Sequence, residues 1–165
     1  MARSGRRAGP TAAVALLERA GVPYALHEYE HDPAAASFGL EAAAALGRDP
    51  EQVLKTLLVV HDRDWAVAVL PVSARLSLRA AAAALGWKRA ALADPRLAER
   101  RTGYVVGGIS PLGQKTPSPL LLDGPARALP TVLVSGGRRG LELELAPADL
   151  IRLTGARVAA VASRA

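Results

Sequence analysis

The chain has 165 residues, a length that suits one domain with a single hydrophobic core. Half of the residues are hydrophobic and only 4% are aromatic, which excludes a disordered chain and argues against a base-stacking platform of the kind single-strand binders use. The chain contains no cysteine, so disulfides, a thiolate nucleophile and Cys-ligated zinc or iron–sulfur sites are excluded.

The net charge of +6 favours a polyanionic partner, or reflects a soluble protein that is simply basic. Only three of the 21 basic residues are lysines, namely Lys55, Lys88 and Lys115. If composition favours arginine over lysine, these lysines are candidates for positions where a compact ammonium serves and a guanidinium does not.

Targeting signals are weak. Arg6-Arg7 could open a twin-arginine signal, but the apolar run 12–17 behind it is too short for an h-region. No stretch approaches the roughly 20 apolar residues that a membrane span needs. We therefore expect a cytoplasmic protein, with residues 1–9 a flexible basic tail and residues 10–165 one domain.

In the first half of the chain, caps and periodicity predict two helices, one helical turn and three strands. They are a helix from Thr11 to Gly21, a strand over 22–29, a short helix over 40–46, one helical turn at 49–51, and a hairpin of strands 54–60 and 65–70.

The second half mixes helices and strands without the regular spacing of βαβ units. The pattern predicts helices over 77–85, from Asp94-Pro95 to Gly103 and over 147–154, with strands over 120–122, 131–135, 140–145 and 157–161, and a Gly- and Pro-rich loop over 107–119. This order predicts an α+β fold, a single compact domain with a mixed, barrel-like β-sheet flanked by short helices.

The segment from His27 to His31 matches the H-E-x-x-H zinc-protease pattern letter for letter. That chemistry needs a helix, which brings two histidines four residues apart onto one face. The segment follows an alternating strand pattern, and four residues of strand span roughly 13 Å. We expect no metal site here.

A second motif, Gly108 to Thr116, resembles a P-loop with one residue too many. Gln114 separates the second glycine from the lysine, and Pro111 removes a backbone donor, so nucleotide hydrolysis is not expected. Ser110 has G-x-S-x-x-G spacing, which differs from a nucleophile elbow. A tight structural turn is the alternative interpretation of this loop.

Lys55 introduces one charge into the strongly apolar run 53–60, which is costly unless the ammonium reaches water or a partner. The alternative is a lysine at the start of a strand, with its ammonium in solvent.

The Gly-rich loop 107–113 lets backbone approach a ligand closely and leaves N–H groups that can stabilise an oxyanion. Ser135-Gly136-Gly137 offers a second close-approach turn, or an ordinary hairpin.

Five segments then identify a resemblance by their order and composition. They are Tyr29 to Pro33, Phe38-Gly39, Val53 to Leu57, Thr102 to Lys115 and Val134 to Leu141. Through them the chain resembles the YbaK/EbsC family, free-standing relatives of the editing domain inserted in bacterial prolyl-tRNA synthetase. The resemblance covers about residues 11–162, and its specificity lies in the long Gly-rich string combined with the Lys-Thr pair.

The resemblance implies a trans-editing aminoacyl-tRNA deacylase on a mixed, barrel-like sheet. Its substrate would be a mischarged tRNA, most typically cysteine on tRNA(Pro), and prolyl-tRNA synthetase is a further implied partner. The family uses no cofactor, metal or protein nucleophile. In its cysteine-specific branch the substrate thiol attacks the ester carbonyl and leaves as a thiolactone, which is lyase-like chemistry.

Position by position, the resemblance implies that Lys55 contacts the terminal adenosine or the ester, and that Gly107 lies close to the scissile carbonyl. Gly108 belongs to the same G-x-x-P-x-G loop, so the expected catalytic residues are Lys55, Gly107 and Gly108. The expected substrate-binding residues are Tyr29, Phe38, Thr56, Pro111, Gly113 and Ser135. The chain has Glu142 where the family's representative has Asp, which leaves the role of this residue open.

Three alternatives remain at this point. The same fold could deacylate Ala-tRNA(Pro), which requires a tighter pocket and cannot use a thiol. A non-catalytic module that binds tRNA or a synthetase would show no turnover. A basic structural protein would show no effect on tRNA at all.

Overall fold

In the computed structural model, which describes residues 9–164, the apolar run behind Val53 forms a central hairpin. Strands β2 (Leu54–His61) and β3 (Asp64–Pro71) pair antiparallel over their full length. Asp62 in the two-residue turn takes φ +54°, a left-handed conformation that Asp tolerates better than most residues. The predicted hairpin is confirmed.

This hairpin lies inside a five-stranded sheet of order β5-β2-β3-β6-β9. β5 (Ala91–Leu92) pairs antiparallel with the end of β2. β6 (Leu120–Asp123) and β9 (Arg157–Ala159) are added in parallel on the other side. Because parallel neighbours need long crossovers, helices lie between these strands in the chain.

A three-stranded antiparallel sheet has the order β1-β8-β7. Its strands are β1 (Ala25–Glu28), β7 (Val132–Ser135) and β8 (Leu141–Leu145). A small pair joins β4 (Arg75–Leu76) to β10 (Ala162–Ser163). The predicted α+β domain with mixed strands is confirmed, but the strands of residues 9–164 remain in three sheets and do not close into a barrel.

Five helices flank the sheets, and each ends at a glycine in the left-handed conformation. They are α1 (Ala12–Ala20), α2 (Phe38–Leu46), α3 (Leu78–Leu85), α4 (Pro95–Thr102) and α5 (Pro147–Thr154). A 3-10 helix, Gly124–Ala128, follows β6. Four N-cap side chains accept backbone N–H groups of the first turn, which fixes where these helices begin: Thr11, Ser37, Ser77 and Asp94.

The main core fills the space between the two larger sheets and the helices. Leu17 of α1, Leu122 of β6, Leu143 of β8 and Leu150 of α5 are fully buried in it. Within the described residues, no helix is long and apolar enough to cross a membrane. The buried side chains of the main core are mostly Ala, Val and Leu, which allows the short helices to pack closely against the strands.

Several predicted boundaries are wrong for identifiable reasons. Residues 49–51 form a turn and not a helical turn, because the Asp49 carboxylate accepts the Glu51 N–H and its carbonyl accepts the Gln52 N–H. The strand predicted over 157–161 ends at Ala159, because the buried Asp123 carboxylate accepts the next N–H groups, those of Val161 and Ala162. The strand predicted over 22–29 is confined to β1.

Three strands of two residues each, β4, β5 and β10, were not predicted, since so short a segment has no detectable periodicity. Residues 1–8 of the flexible tail predicted over 1–9, with the Arg6-Arg7 pair, lie outside the described part of the chain.

Candidate active site

A cavity of about 400 Å³ opens beside the first part of β2. β5 pairs only with Val59 and Val60, so it leaves the preceding edge of β2 uncovered, and residues 54–58 line the cavity there. The remaining walls come from the start of α2, the start of α4, the Gly-rich loop and the facing strands β7 and β8. Its described lining residues are Tyr29, Ala36, Ser37, Phe38, Gly39, Leu54, Lys55, Thr56, Leu57, Leu58, Leu92, Ala93, Pro95, Ala98, Val106, Gly107, Ile109, Ser135 and Glu142.

Lys55 is the second residue of β2, and its side chain is partly buried in the cavity wall. Its Nζ donates a hydrogen bond to the carbonyl oxygen of Ala74 at 2.6 Å. Burial lowers the pKa of the Lys55 ammonium, and the positive charge of Arg75 lowers it further. The ammonium is therefore held by one backbone carbonyl, with no carboxylate beside it among the described residues.

Thr56, the next residue, also lines the cavity. Its Oγ1 is buried and has no hydrogen-bond partner within residues 9–164. A buried hydroxyl without a partner is costly, so Thr56 is an unsatisfied polar group in the cavity wall.

Gly107 is in contact with the ring of Phe38. It takes φ +89°, and a Cβ built on it would lie 2.7 Å from Phe38 Cδ1. The guanidinium carbon of Arg139 lies 5.1 Å from the centre of the same ring, and its Nε donates to the carbonyl of Val106 at 2.9 Å. These contacts hold three walls of the cavity together: the start of α2, the Gly-rich loop and the β7–β8 turn.

Apart from Ile109, the rest of the Gly-rich loop 107–113 packs into the protein instead of lining the cavity. A Cβ on Gly108 would lie 2.8 Å from the backbone of Arg138, and one on Gly113 would lie 2.7 Å from the Ala12 carbonyl in α1. Pro111 is buried as well. The structure thus places the predicted residues Gly108, Pro111 and Gly113 where they shape the loop.

The expectation that this loop leaves its N–H groups free is wrong for two of them, those of Gly108 and Leu112, and the N–H of the preceding residue Val106 is occupied as well. The N–H of Gly108 donates to Val105, and the N–H of Val106 donates to the carboxylate of Glu99. The N–H of Leu112 donates to Ser110 Oγ, which is consistent with the structural-turn interpretation of this segment.

Tyr29, Ser135 and Glu142 form the wall built from the three-stranded sheet. Ser135 and Glu142 are directly opposite each other in β7 and β8, so their side chains share one face. Burial raises the pKa of Tyr29, and the carboxyls of Glu142 and Glu41 raise it further.

Glu142 is the carboxyl of the cavity lining, and it is only 7% exposed. Burial raises the pKa of Glu142 to about 8, because the charged form loses its hydration and gains no compensating partner. At neutral pH it is therefore a protonated acid that can donate a hydrogen bond, and it is not a base.

Among the described lining residues the polar side chains are hydroxyls, one ammonium and this neutral carboxyl. None is a histidine, an aspartate or a cysteine, and the one carboxyl, that of Glu142 opposite Ser135, is kept mainly protonated by burial. The arrangement can bind and orient an ester, and it does not supply an activated side-chain nucleophile.

The two histidines of the H-E-x-x-H segment interact with different carboxylates. His27 lies in β1 with its Nε2 2.8 Å from Glu144 Oε1, whereas His31 Nδ1 lies 2.8 Å from Glu41 Oε1. Residues 9–164 contain no group of three or more acidic, histidine or cysteine side chains that could hold a metal ion.

The cavity thus brings together six of the nine predicted site residues: Tyr29, Phe38, Lys55, Thr56, Gly107 and Ser135. Sequence reasoning left the role of Glu142 open and missed the apolar part of the lining from Leu92, Ala93, Pro95 and Ala98. No signal in that segment distinguished a cavity wall from an ordinary surface.

Comparisons with known proteins agree with this geometry. Residues 32–153 match the model of the aminoacyl-tRNA editing domain. An Enterococcus faecalis protein, EbsC, is 33% identical over 156 residues, covering 93% of this chain and 94% of its own, and its curated name proposes deacylation of Cys-tRNA(Pro) and Cys-tRNA(Cys).

Two solved structures share the fold over 92% of the chain at 28% identity. One, a candidate trans-editing enzyme for prolyl-tRNA synthetase, is covered to 95% with a TM-score of 0.81. The other, a hypothetical protein, is covered to 99% with a TM-score of 0.83. The match to the editing-domain model spans well over half of the sequence, and so the chain belongs to the aminoacyl-tRNA editing domain family.

Proposed function

We propose that this protein removes cysteine from mischarged Cys-tRNA(Pro), acting in trans on the free aminoacyl-tRNA. The observation that carries the proposal is the cavity lining, which offers binding groups for an ester but no side-chain nucleophile with a base. The naming of the Enterococcus relative and of the trans-editing structure supports the same substrate class.

Size alone does not select cysteine in this cavity. A volume of about 400 Å³ accommodates a cysteinyl, alanyl or prolyl group together with part of the terminal nucleoside. Discrimination must then come from chemistry, and a thiol is the feature that cysteine has and alanine and proline lack.

In the proposed step the substrate sulfur attacks the carbonyl carbon of its own ester. A carbon–sulfur bond forms, the bond from the carbonyl carbon to the ribose oxygen breaks, and that oxygen takes up the proton lost by the thiol. The products are a thiolactone and uncharged tRNA. Holding the sulfur next to the carbonyl raises its effective concentration, which is the protein's main contribution to rate.

Lys55 is proposed to stabilise the negative charge that develops on the ester or to bind the terminal adenosine. Its ammonium is bound to a single backbone carbonyl and retains donors for the substrate. Gly107 brings main chain close to the ester, while Gly108, Pro111 and Gly113 hold the loop in shape. Tyr29, Phe38, Thr56 and Ser135 complete the pocket, and protonated Glu142 adds a donor without adding charge.

In this proposal the protein encounters its substrate tRNA in the cytoplasm. Prolyl-tRNA synthetase is the proposed source of the mischarged tRNA. Direct binding to that synthetase is part of this proposal and is tested by co-purification of the two proteins.

The test is amino-acid release from Cys-tRNA(Pro), Ala-tRNA(Pro) and Pro-tRNA(Pro) with three proteins: wild type, Lys55→Ala and Lys115→Ala. Lys115 is an exposed lysine outside the cavity lining, so its variant controls for loss of one positive charge. We expect release of cysteine only, reduced at least about 100-fold in Lys55→Ala and unchanged in Lys115→Ala.

Release of alanine in place of cysteine would retain the site and remove the thiol step. Binding of tRNA without release of any amino acid, by protein verified as folded, would leave a non-catalytic binding module. Equal loss of activity in both lysine variants would contradict the assignment of Lys55 to the site.

A further inference from the structure

A second groove is formed by α3 and by the segment 87–90 that precedes β5. It encloses about 400 Å³ and is lined by Leu78, Arg79, Ala82, Ala83, Trp87, Lys88, Arg89 and Ala90. Three of these side chains are cations, one is an indole, and the remainder are aliphatic. No acidic residue lines this groove.

The three cations of the groove are exposed, and none forms an ion pair within residues 9–164. Unpaired cations close together repel one another and favour binding of an anion with several charges. Lys88 is also one of only three lysines in a chain whose other basic residues are arginines. The charge of the groove therefore fits a polyanion better than a single small anion.

Trp87 gives the groove an apolar wall. Trp87 is partly exposed, and its ring lies beside that of His61, with the two ring centres 6.1 Å apart. An indole beside several cations suits a nucleotide chain, whose phosphates need positive charge and whose bases or sugars need an apolar surface. One tryptophan is not a stacking platform of several rings, so the phosphate contacts must dominate.

The groove is close to the cavity along the chain. Ala90 lines the groove and Leu92 lines the active-site cavity, so only Ala91 lies between them. At the rise of a β-strand these two residues are about 7 Å apart. Both residues of β5 are exposed, and Leu92 is 57% exposed, so a nucleotide strand can cross this ridge.

We propose that the groove formed by Arg79, Trp87, Lys88 and Arg89 binds the phosphate backbone of the tRNA next to its aminoacylated end. The inference rests on the proposed function, because it is the ester in the cavity that places this end of the tRNA nearby. The terminal nucleotide enters the cavity, and the strand behind it passes over β5 to the three cations.

The first test uses the triple variant Arg79→Gln/Lys88→Gln/Arg89→Gln. Its matched control, Arg19→Gln/Arg100→Gln/Arg127→Gln, also removes three exposed cations that form no ion pair within residues 9–164, and none of them lines either cavity. The affinity for uncharged tRNA(Pro) is measured against salt concentration. Each lost phosphate contact lowers the slope of log K against log salt by roughly 0.7–0.9, so the groove variant should lose about 2 units of slope.

In the release assay we expect the groove variant to raise KM for Cys-tRNA(Pro) at least about tenfold with kcat unchanged. The control variant should change KM less than about threefold. Equal changes in the two variants would overturn the proposal, because net charge and not the groove would then govern binding.

A second readout follows Trp87 directly. Trp65→Phe leaves Trp87 as the single tryptophan of the chain, and uncharged tRNA(Pro) should quench its fluorescence in that background. Unchanged fluorescence at saturating tRNA would also overturn the proposal. Because both binding measurements use uncharged tRNA, they remain informative if the wild-type protein releases no amino acid, a result that would remove the proposed function alone.

Discussion

The carboxyl of Glu142 lies in a wall of the candidate active-site cavity, where Glu142 is 7% exposed. Burial raises the pKa of Glu142 from 4.5 to about 8. Between these two values the folded protein keeps a proton that the unfolded chain releases. Unfolding therefore becomes more favourable as pH rises through this window.

Replacing Glu142 with Gln should remove this loss of stability at higher pH. The rise covers about 3.5 pKa units at about 1.4 kcal/mol each, so the variant should be more stable than wild type by up to about 5 kcal/mol at pH 8. At pH 4.5 and below the two proteins should be equally stable. Denaturant unfolding at pH 4.5 and pH 8 checks this, with the exposed Glu30→Gln as control. A stability difference that does not change with pH would contradict the account.

Gly107 is a residue whose size matters more than its chemistry. Ala at this position would keep a positive φ and place its Cβ against the Phe38 ring. We expect Gly107→Ala to lower the free energy of unfolding by about 1–3 kcal/mol and to slow amino-acid release at least tenfold.

The control for that substitution is Gly124→Ala, because a Cβ on Gly124 meets no atom within 4 Å. Adding Phe38→Ala should relieve the clash but not the backbone strain, so the double variant should be less destabilised than the sum of the single variants. Strict additivity would show that the Phe38 contact is not what requires glycine.

At the scale of the elements, Glu144 in β8 holds four segments together. Its carboxylate accepts two hydrogen bonds from Arg48 at 2.9 Å and one from Thr131 Oγ1 at 2.6 Å, and it lies 2.8 Å from His27 Nε2. These contacts, chiefly those with Arg48 and Thr131, lower the pKa of Glu144 to about 2. The carboxylate thus fixes the end of α2 and the start of β7 against β1 and β8.

Glu144→Gln should destabilise the protein by about 2–3 kcal/mol at pH 7, since it leaves Arg48 without its charged partner. The lowered pKa means that this stabilisation is present above pH 4.5 and is lost as pH falls towards 2. Thermal unfolding of the variant and wild type across this range should converge at low pH. An equally large difference at pH 2.5 and pH 7 would argue against the ion pair as the cause.

The sequence predicted most helices well because their ends carry local signals. Ser77 and Gly86 mark α3 on both sides, whereas α2 begins two residues before the prediction because Ser37 caps it. β5 could not be predicted, since two residues have no period and the strand exists only through its pairing with β2.

The candidate site was predictable only in part. Lys55 was conspicuous as a charge in an apolar strand, but the alternation of Leu141 to Leu145 gave no means of telling a buried polar face from a solvated one. In the structure the face bearing Glu142 and Glu144 is covered by the cavity wall and by the Arg48 contact. Burial of that face is a tertiary property, which alternation does not encode.

At the scale of the whole molecule, a small mixed fold presents a cavity that can hold an ester, in a chain whose net charge is +6. In the proposed reaction the chain would supply shape, donors and positive charge, and the substrate would supply the nucleophile. We therefore expect catalysis to depend on the chemistry of the amino-acid side chain more than on its size.

The most direct measurement compares release of cysteine and of serine from the same tRNA(Pro). The two amino acids have nearly the same shape, but the serine hydroxyl is a far weaker nucleophile at neutral pH than a thiol. We expect cysteine to be released at least about 100-fold faster than serine, and alanine to be released no faster than serine. Release of all three at similar rates would show that water is the nucleophile and would contradict the proposed thiol attack.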